Sequence, residues 1–219
     1  MNRAVIFDFD GLLADTEVVH FRTFSGVLAE EGITVTAEEN GSRFMGIDDR
    51  NCFQIAFRES GRGDLTRHRA DDLVQRKSRL FRNALGEIEL FPGAEELVRE
   101  ARRRGPCTIA SCGRRQEIEA ILHRHGLLDE FPFFVAADEI ERPKPDPDCF
   151  LRALDLFRHH VSPELRARDC VVFEDSFRGV EAAKRAGMRC VAVTHSFPRE
   201  RLEQADVVID SLGEWSWPS

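Results

Sequence analysis

Apolar and polar positions follow two regimes along this chain. In its second half, short apolar runs alternate with stretches of helical spacing. Cys107 to Ala110, Phe133 to Ala137, Cys170 to Phe173, Arg189 to Val193 and Val207 to Ile209 read as strands. Helices are expected after Phe91-Pro92-Gly93 as far as Arg104, from Arg114 to His125, from Pro147 to Phe157, and from Phe177 to Ala186 with Gly187 as the stop. Residues 4 to 9 supply a further strand. Continuous apolar strands separated by helices imply right-handed crossovers and a buried parallel sheet. The expected fold class is therefore α/β, a Rossmann-like doubly wound parallel sheet.

The stretch after the first strand breaks this rhythm. Phe21, Phe24, Val27 and Leu28, then Cys52, Phe53, Ala56 and Phe57, then Leu73, Leu80 and Phe81 recur at helical spacing, and no run there reads as a strand. Gly32, Gly41, Gly46 and Gly61-Arg62-Gly63 mark its turns. The expected organisation is a core of residues 1–15 and 88–219, with an all-helical cap domain, residues 16–87, inserted after strand one.

The strand ends carry the candidate chemistry. Asp8 and Asp10 follow Ala4-Val5-Ile6-Phe7, and Glu174-Asp175 follow Cys170-Val171-Val172-Phe173. Ligands of doubly wound sheets bind at the carboxyl ends of the strands. Two carboxylate clusters brought to that edge would repel unless a cation lay between them, and an all-oxygen donor set suits Mg²⁺. Magnesium-assisted phosphate chemistry is the expectation.

Composition narrows the setting. The formal net charge of −8 opposes nonspecific binding to nucleic acid or anionic membrane. No stretch reaches the roughly 18 apolar residues of a membrane span, and the first strand starts too early for a signal peptide, so cytoplasmic localisation is expected. Six cysteines without a CxxC pair fit reduced thiols used mostly as core filler. Of 31 basic residues only Lys77, Lys144 and Lys184 are lysines, which singles out Lys144 between two prolines. A compact ammonium fits there where a planar guanidinium would not.

In order along the chain, Asp8-Phe9-Asp10-Gly11-Leu12-Leu13-Ala14-Asp15-Thr16-Glu17, Ser111 at a strand end, Arg142-Pro143-Lys144-Pro145-Asp146-Pro147, and Glu174-Asp175-Ser176 before Gly179-Val180-Glu181-Ala182-Ala183 resemble the motifs of the haloacid dehalogenase superfamily. The branch resembled has a helical cap after strand one, as in phosphatases and β-phosphoglucomutase-like members. A lone DxD would carry little, whereas four motifs in order, each at a strand end, are specific.

The resemblance implies roles. Asp8 would be the nucleophile, attacking phosphorus in line to give an aspartyl-phosphate. Asp10 would be general acid and base, a task worth about 10²- to 10⁴-fold, and its backbone carbonyl would meet the metal. Ser111 and the amide of Cys112 would hold phosphoryl oxygens, although Cys112-Gly113 departs from the commoner continuation. Lys144 would bridge Asp8 and the phosphate. Glu174 and Asp175 would complete the Mg²⁺ shell, Glu174 directly or through water. Each of these residues also has a plainer reading, as a cap, a turn or a surface group.

Substrate choice is expected in the cap, at His20, Gly46, Arg50 and Lys77. His20 and Lys77 resemble cap and hinge positions of β-phosphoglucomutase-like members, and Thr16 their hinge. Met45 and Asp49 depart from that pattern, which has cations there. The expected function is a Mg²⁺-dependent phosphatase of a small phosphorylated metabolite, a sugar phosphate foremost, acting as a monomer or weak homodimer. One alternative is a phosphosugar mutase on the same scaffold. A non-enzymatic alternative is a receiver-like module phosphorylated on aspartate, but there the phosphorylated residue ends a later strand.

Overall fold

The computed structural model describes residues 4–44 and 47–217. In chain order the elements are β1 (Ala4–Phe7), α1 (Glu17–Glu30), the single turn α2 (Ala37–Glu39), α3 (Asp49–Glu59), α4 (Arg67–Asn83), α5 (Ala94–Arg104), β2 (Cys107–Ile109), α6 (Arg115–Arg124), α7 (Asp148–His160), β3 (Cys170–Glu174), α8 (Phe177–Arg185), β4 (Arg189–Val193) and β5 (Val207–Ile209). Two compact units result: Met1–Asp15 with Glu89–Ser219, and Thr16–Ile88.

The first unit is built on a five-stranded sheet in the order β2-β1-β3-β4-β5, parallel throughout. The central strands are buried end to end, AVIF in β1 and CVVFE in β3, as strands covered on both faces must be. Phe7 stacks on Phe173 across the pair with ring centroids 5.4 Å apart. Near the C-terminus, Trp215 and Trp217 meet Phe173 edge-on at 5.3 and 5.9 Å, so the tail covers part of the sheet with aromatic surface.

The strand expected around Phe133 to Ala137 does not form. It shrinks to one bridge, Val135 beside Ala110, held by Val135 N–H to Ile109 O at 2.8 Å and Ser111 N–H to Val135 O at 3.1 Å. Side chains take the neighbouring carbonyls: Thr108 Oγ1 donates to Phe133 O and Arg115 Nη2 to Phe134 O, each at 2.7 Å. Pro132 has no N–H to offer a ladder.

The second unit is helical. Phe24, Val27, Leu28, Phe44, Cys52, Phe53, Ala56, Phe57 and Leu73 form its core. Phe24 packs at 5.2 Å on Phe44 and 5.0 Å on Phe53. Asp48 caps α3 and Thr66 caps α4 by accepting N–H groups of Asn51 and Arg69. Among the described residues no helix is long and apolar enough to cross a membrane.

Candidate active site

The sheet register assembles the site. β1 and β3 pair Phe7 with Phe173, so Asp8 and Glu174 leave the sheet side by side, and Asp8 N–H still donates to Phe173 O at 2.9 Å. β2 pairs Phe7 with Ile109 on the other flank, which brings Ser111 to the same edge.

Lys144 sits between two of the carboxylates. Its Nζ lies 2.7 Å from Asp8 Oδ1 and 2.6 Å from Glu174 Oε1. All three side chains are buried, that of Glu174 completely. Glu174 Oε2 accepts from Asp175 N–H at 2.8 Å, Ser176 N–H at 2.7 Å and Ser176 Oγ at 2.9 Å. Four protein donors thus share its two oxygens. Gly179 makes room for this arrangement, since a Cβ there would overlap the Glu174 carboxylate.

One ammonium faces an excess of buried negative charge. Burial pushes the Asp8 carboxyl up to about 7, with Glu174 and Asp10 adding to the rise and Lys144 opposing it. Burial alone would lower Lys144, but Asp8 and Glu174 outweigh it and hold the ammonium well above its ordinary value. One ligand atom each from Asp8, Glu174 and Asp175 lies within 4.8 Å of the others. An all-carboxylate set with net negative charge fits a hard divalent cation.

Asp10 accepts from Ser111 Oγ at 3.1 Å, and the same hydroxyl accepts from Gly113 N–H at 2.8 Å. Cys112 lies exposed between them in sequence. The first unit therefore gathers Asp8, Lys144, Glu174 and Asp175 in one cluster and joins Asp10 to Ser111.

The other sequence candidates belong to the helical unit. Lys77 on α4 is buried, forms an ion pair with Asp49 on α3, and has its Nζ 3.0 Å from His20 Nδ1 on α1. The His20 ring stacks on Phe81 at 4.2 Å. Arg50 forms an ion pair with Asp71. Gly46, with Met45, lies outside the described residues.

Sequence reasoning assigned no role to Ser176, Gly179, His195 or Ser196. The first two sit inside a recognised motif, and the serine at a helix N-cap was the available signal. His195 and Ser196 follow β4 in Thr194-His195-Ser196-Phe197, which carries no acidic or cationic pattern.

The sequence model of the haloacid dehalogenase-like hydrolases matches residues 5–193. A phosphorylated carbohydrates phosphatase of Thermotoga maritima is 34% identical over 194 residues, 88% of this chain and 86% of its own. The chloroplastic protein Suppressor of Quenching 1 of Arabidopsis thaliana is 33% identical over 97% of this chain, which spans only 20% of that longer protein. The crystal structure of CbbY from Rhodobacter sphaeroides in complex with phosphate superposes with a TM-score of 0.83 at 29% identity, covering 98% of this chain and 96% of that one. The chain belongs to the haloacid dehalogenase-like hydrolases. It is an enzyme of the family's phosphatase and phosphoglucomutase-like group.

Proposed function

We propose that this enzyme is a Mg²⁺-dependent phosphatase of a small phosphorylated metabolite, a sugar phosphate foremost, working in the cytoplasm through an aspartyl-phosphate. The carrying observation is the convergence of Asp8, Lys144, Glu174 and Asp175 at the ends of β1 and β3. The names of the Thermotoga phosphatase and the phosphate-bound CbbY support the substrate class.

In this reading Asp8 attacks phosphorus, the ester P–O bond breaks, and the departing oxygen takes a proton from the Asp10 carboxyl. Water then attacks the acyl phosphate and gives its proton back to Asp10, releasing phosphate and restoring Asp8. Ser111 Oγ and the Cys112 amide hold phosphoryl oxygens. Lys144 keeps Asp8 oriented and adds positive charge where the phosphoryl group transfers. Glu174, held by four donors, serves chiefly as the anchor of Lys144 and would complete the metal shell directly or through water. Asp8, the Asp10 carbonyl and Asp175 would hold Mg²⁺, which when bound would screen the negative charge of the phosphoryl oxygens.

Substrate discrimination is assigned to the helical unit, with His20, Gly46, Arg50 and Lys77 as candidates. A mutase must grip a bisphosphorylated intermediate in two orientations, which calls for available cations. Here Lys77 and Arg50 each already carry a carboxylate, Asp49 and Asp71. That favours hydrolysis. The test is incubation with β-glucose 1-phosphate and Mg²⁺, with and without glucose 1,6-bisphosphate, following free phosphate and glucose 6-phosphate, beside a screen of other sugar phosphates. Phosphate release without priming is expected. Rapid isomerisation with little phosphate would replace the phosphatase by the mutase.

A further inference from the structure

The loop after β4 reaches into the carboxylate cluster. Ser196 Oγ donates a hydrogen bond to Asp175 Oδ2. The neighbouring His195 has its Nδ1 3.1 Å from the carbonyl oxygen of Gly11. A carbonyl can only accept, so Nδ1 carries the proton and donates. The His195 ring is fixed from the side by stacking on Phe91, with centroids 3.9 Å apart and planes 19° from parallel. Phe91 is tied in turn by its N–H to Leu13 O at 2.9 Å.

Both bonds end on the segments that supply acidic groups. Gly11 follows Asp10 directly, and Asp175 is the carboxylate just beyond β3. The two bonds are also coupled in space. Gly11 has φ of +79°, and a Cβ there would overlap Asp175 Oδ2 and lie 2.8 Å from Ser196 Oγ. The turn after β1 therefore passes against the Ser196–Asp175 bond so closely that only glycine fits.

We infer that Ser196 and His195 are positioning residues for the metal-binding groups, Ser196 fixing the orientation of the Asp175 carboxylate and His195 fixing the backbone of the Asp10-Gly11 turn. This rests on the reading of Asp8, Asp10 and Asp175 as the Mg²⁺ site. A carboxylate swings about two side-chain torsions, and holding it before the cation arrives removes that freedom from the binding equilibrium. Partners of this kind, hydrogen-bonded to a ligand rather than to the metal, are worth about 10- to 100-fold in metal affinity or activity. Neither residue touches the phosphoryl group in this scheme, so neither should contribute to substrate binding once the metal is in place.

The experiment is calorimetric titration of the metal-free full-length protein with Mg²⁺ alone. Mg²⁺-dependent kinetics on p-nitrophenyl phosphate and thermal melts are run alongside, for wild type, Ser196→Ala, Ser196→Thr and His195→Phe. Ser196→Ala should weaken Mg²⁺ binding by about 10- to 100-fold. Excess Mg²⁺ should recover most of its kcat, and its KM at saturating metal should match wild type. Ser196→Thr, which keeps the hydroxyl, should restore the affinity. His195→Phe keeps the ring stack and loses the Nδ1 donor, and should shift affinity the same way by less. If Ser196→Ala does not fold, Ser196→Cys gives the same reading, with side-chain volume kept and only a weak donor left. Wild-type Mg²⁺ affinity in the folded serine variant would overturn the positioning role while leaving the phosphatase reading intact. Wild-type protein that neither binds Mg²⁺ nor turns over would overturn both.

Discussion

Two of the three lysines in this chain are buried, and they sit in different company. Lys144 touches Asp8 and Glu174, both almost without solvent access, and a third carboxylate, Asp175, lies close by. Lys77 touches Asp49, whose side chain is 34% exposed, and one imidazole, His20. Around Lys144 the negative charge exceeds the positive, and the Asp8 carboxyl rises to about 7 as burial takes effect. Around Lys77 the contacts to Asp49 and His20 link α1, α3 and α4. The first arrangement offers the all-carboxylate donor set that a hard cation takes, which suits phosphoryl chemistry. The second ties three helices together, a structural joint whatever part Lys77 and His20 also take in substrate choice. Burial of a charge is thus no mark of catalysis by itself; the imbalance around it is.

The largest effect is expected at Asp8, the proposed nucleophile, where that imbalance is centred. Asp8→Asn removes the attacking oxygen and should lower turnover of any accepted sugar phosphate by about 10⁴-fold or more. In saturating Mg²⁺ its thermal transition should stay near that of wild type, because an amide replaces the carboxyl without changing its size or packing. A clean preparation keeping a substantial share of the activity would remove Asp8 as nucleophile, and with it the contrast between the two lysines.

Exchanging each lysine tests the contrast directly. Lys144→Met leaves Asp8 and Glu174 buried without their cation, and in EDTA should cost about 3–5 kcal/mol, the usual penalty for breaking a buried pair from one side. Lys77→Met leaves Asp49, which water can reach, and should cost about 1 kcal/mol or less. Denaturant melts of both variants in the same buffer compare them. Equal losses would mean that the two lysines do the same structural work.

The pH dependence of metal-free stability reads the same imbalance. The Asp8 carboxyl rises from 3.8 to about 7 on folding, so the folded state holds its proton more tightly than the unfolded chain does. The group therefore stabilises fully below about pH 4, and that contribution is lost as pH rises towards about 7. Other carboxylates shift the opposite way, Glu31 beside Arg76 and Asp206 beside Lys184 among them, so wild type alone would mix the signals. The difference between Asp8→Asn and wild type in EDTA isolates the one group. The variant should gain on wild type across that window, and saturating Mg²⁺ should shrink the gain. A pH-independent difference would show that Asp8 titrates as an ordinary carboxyl.

The sequence carried the sheet and the family clearly, for physical reasons. Buried parallel strands leave uninterrupted apolar runs such as AVIF and CVVF, and the helical stretch has a different period. The run at Phe133 to Ala137 looked the same by composition. What separates it is which carbonyls Thr108 and Arg115 reach, and no local pattern records that. Acidic pairs at strand ends are likewise visible in the letters. The four donors around Glu174 are not, because two come from backbone N–H groups and one from a lysine 30 residues away. His195 and Ser196 escape notice for a related reason: their partners, Gly11 and Asp175, are distant in sequence, and a serine in a turn has many uses.

The smallest effect is expected at Arg50, and it sharpens the comparison inside the helical unit. Its pair with Asp71 is a surface one, with side chains 50% and 36% exposed, against 5% for Lys77. Exposed pairs contribute between nothing and about 1 kcal/mol, since water already solvates both partners. Arg50→Ala should therefore shift the melting transition less than Lys77→Met does. Its activity is the more telling measurement. With Arg50 engaged by Asp71, phosphate release from a sugar monophosphate should continue with a rise in KM of about a few-fold at most, set by the same modest energy. A much larger rise in KM at unchanged Tm would show that Arg50 leaves Asp71 to hold the substrate. The helical unit would then have a cation to offer a second phosphate, and the mutase alternative would regain its footing.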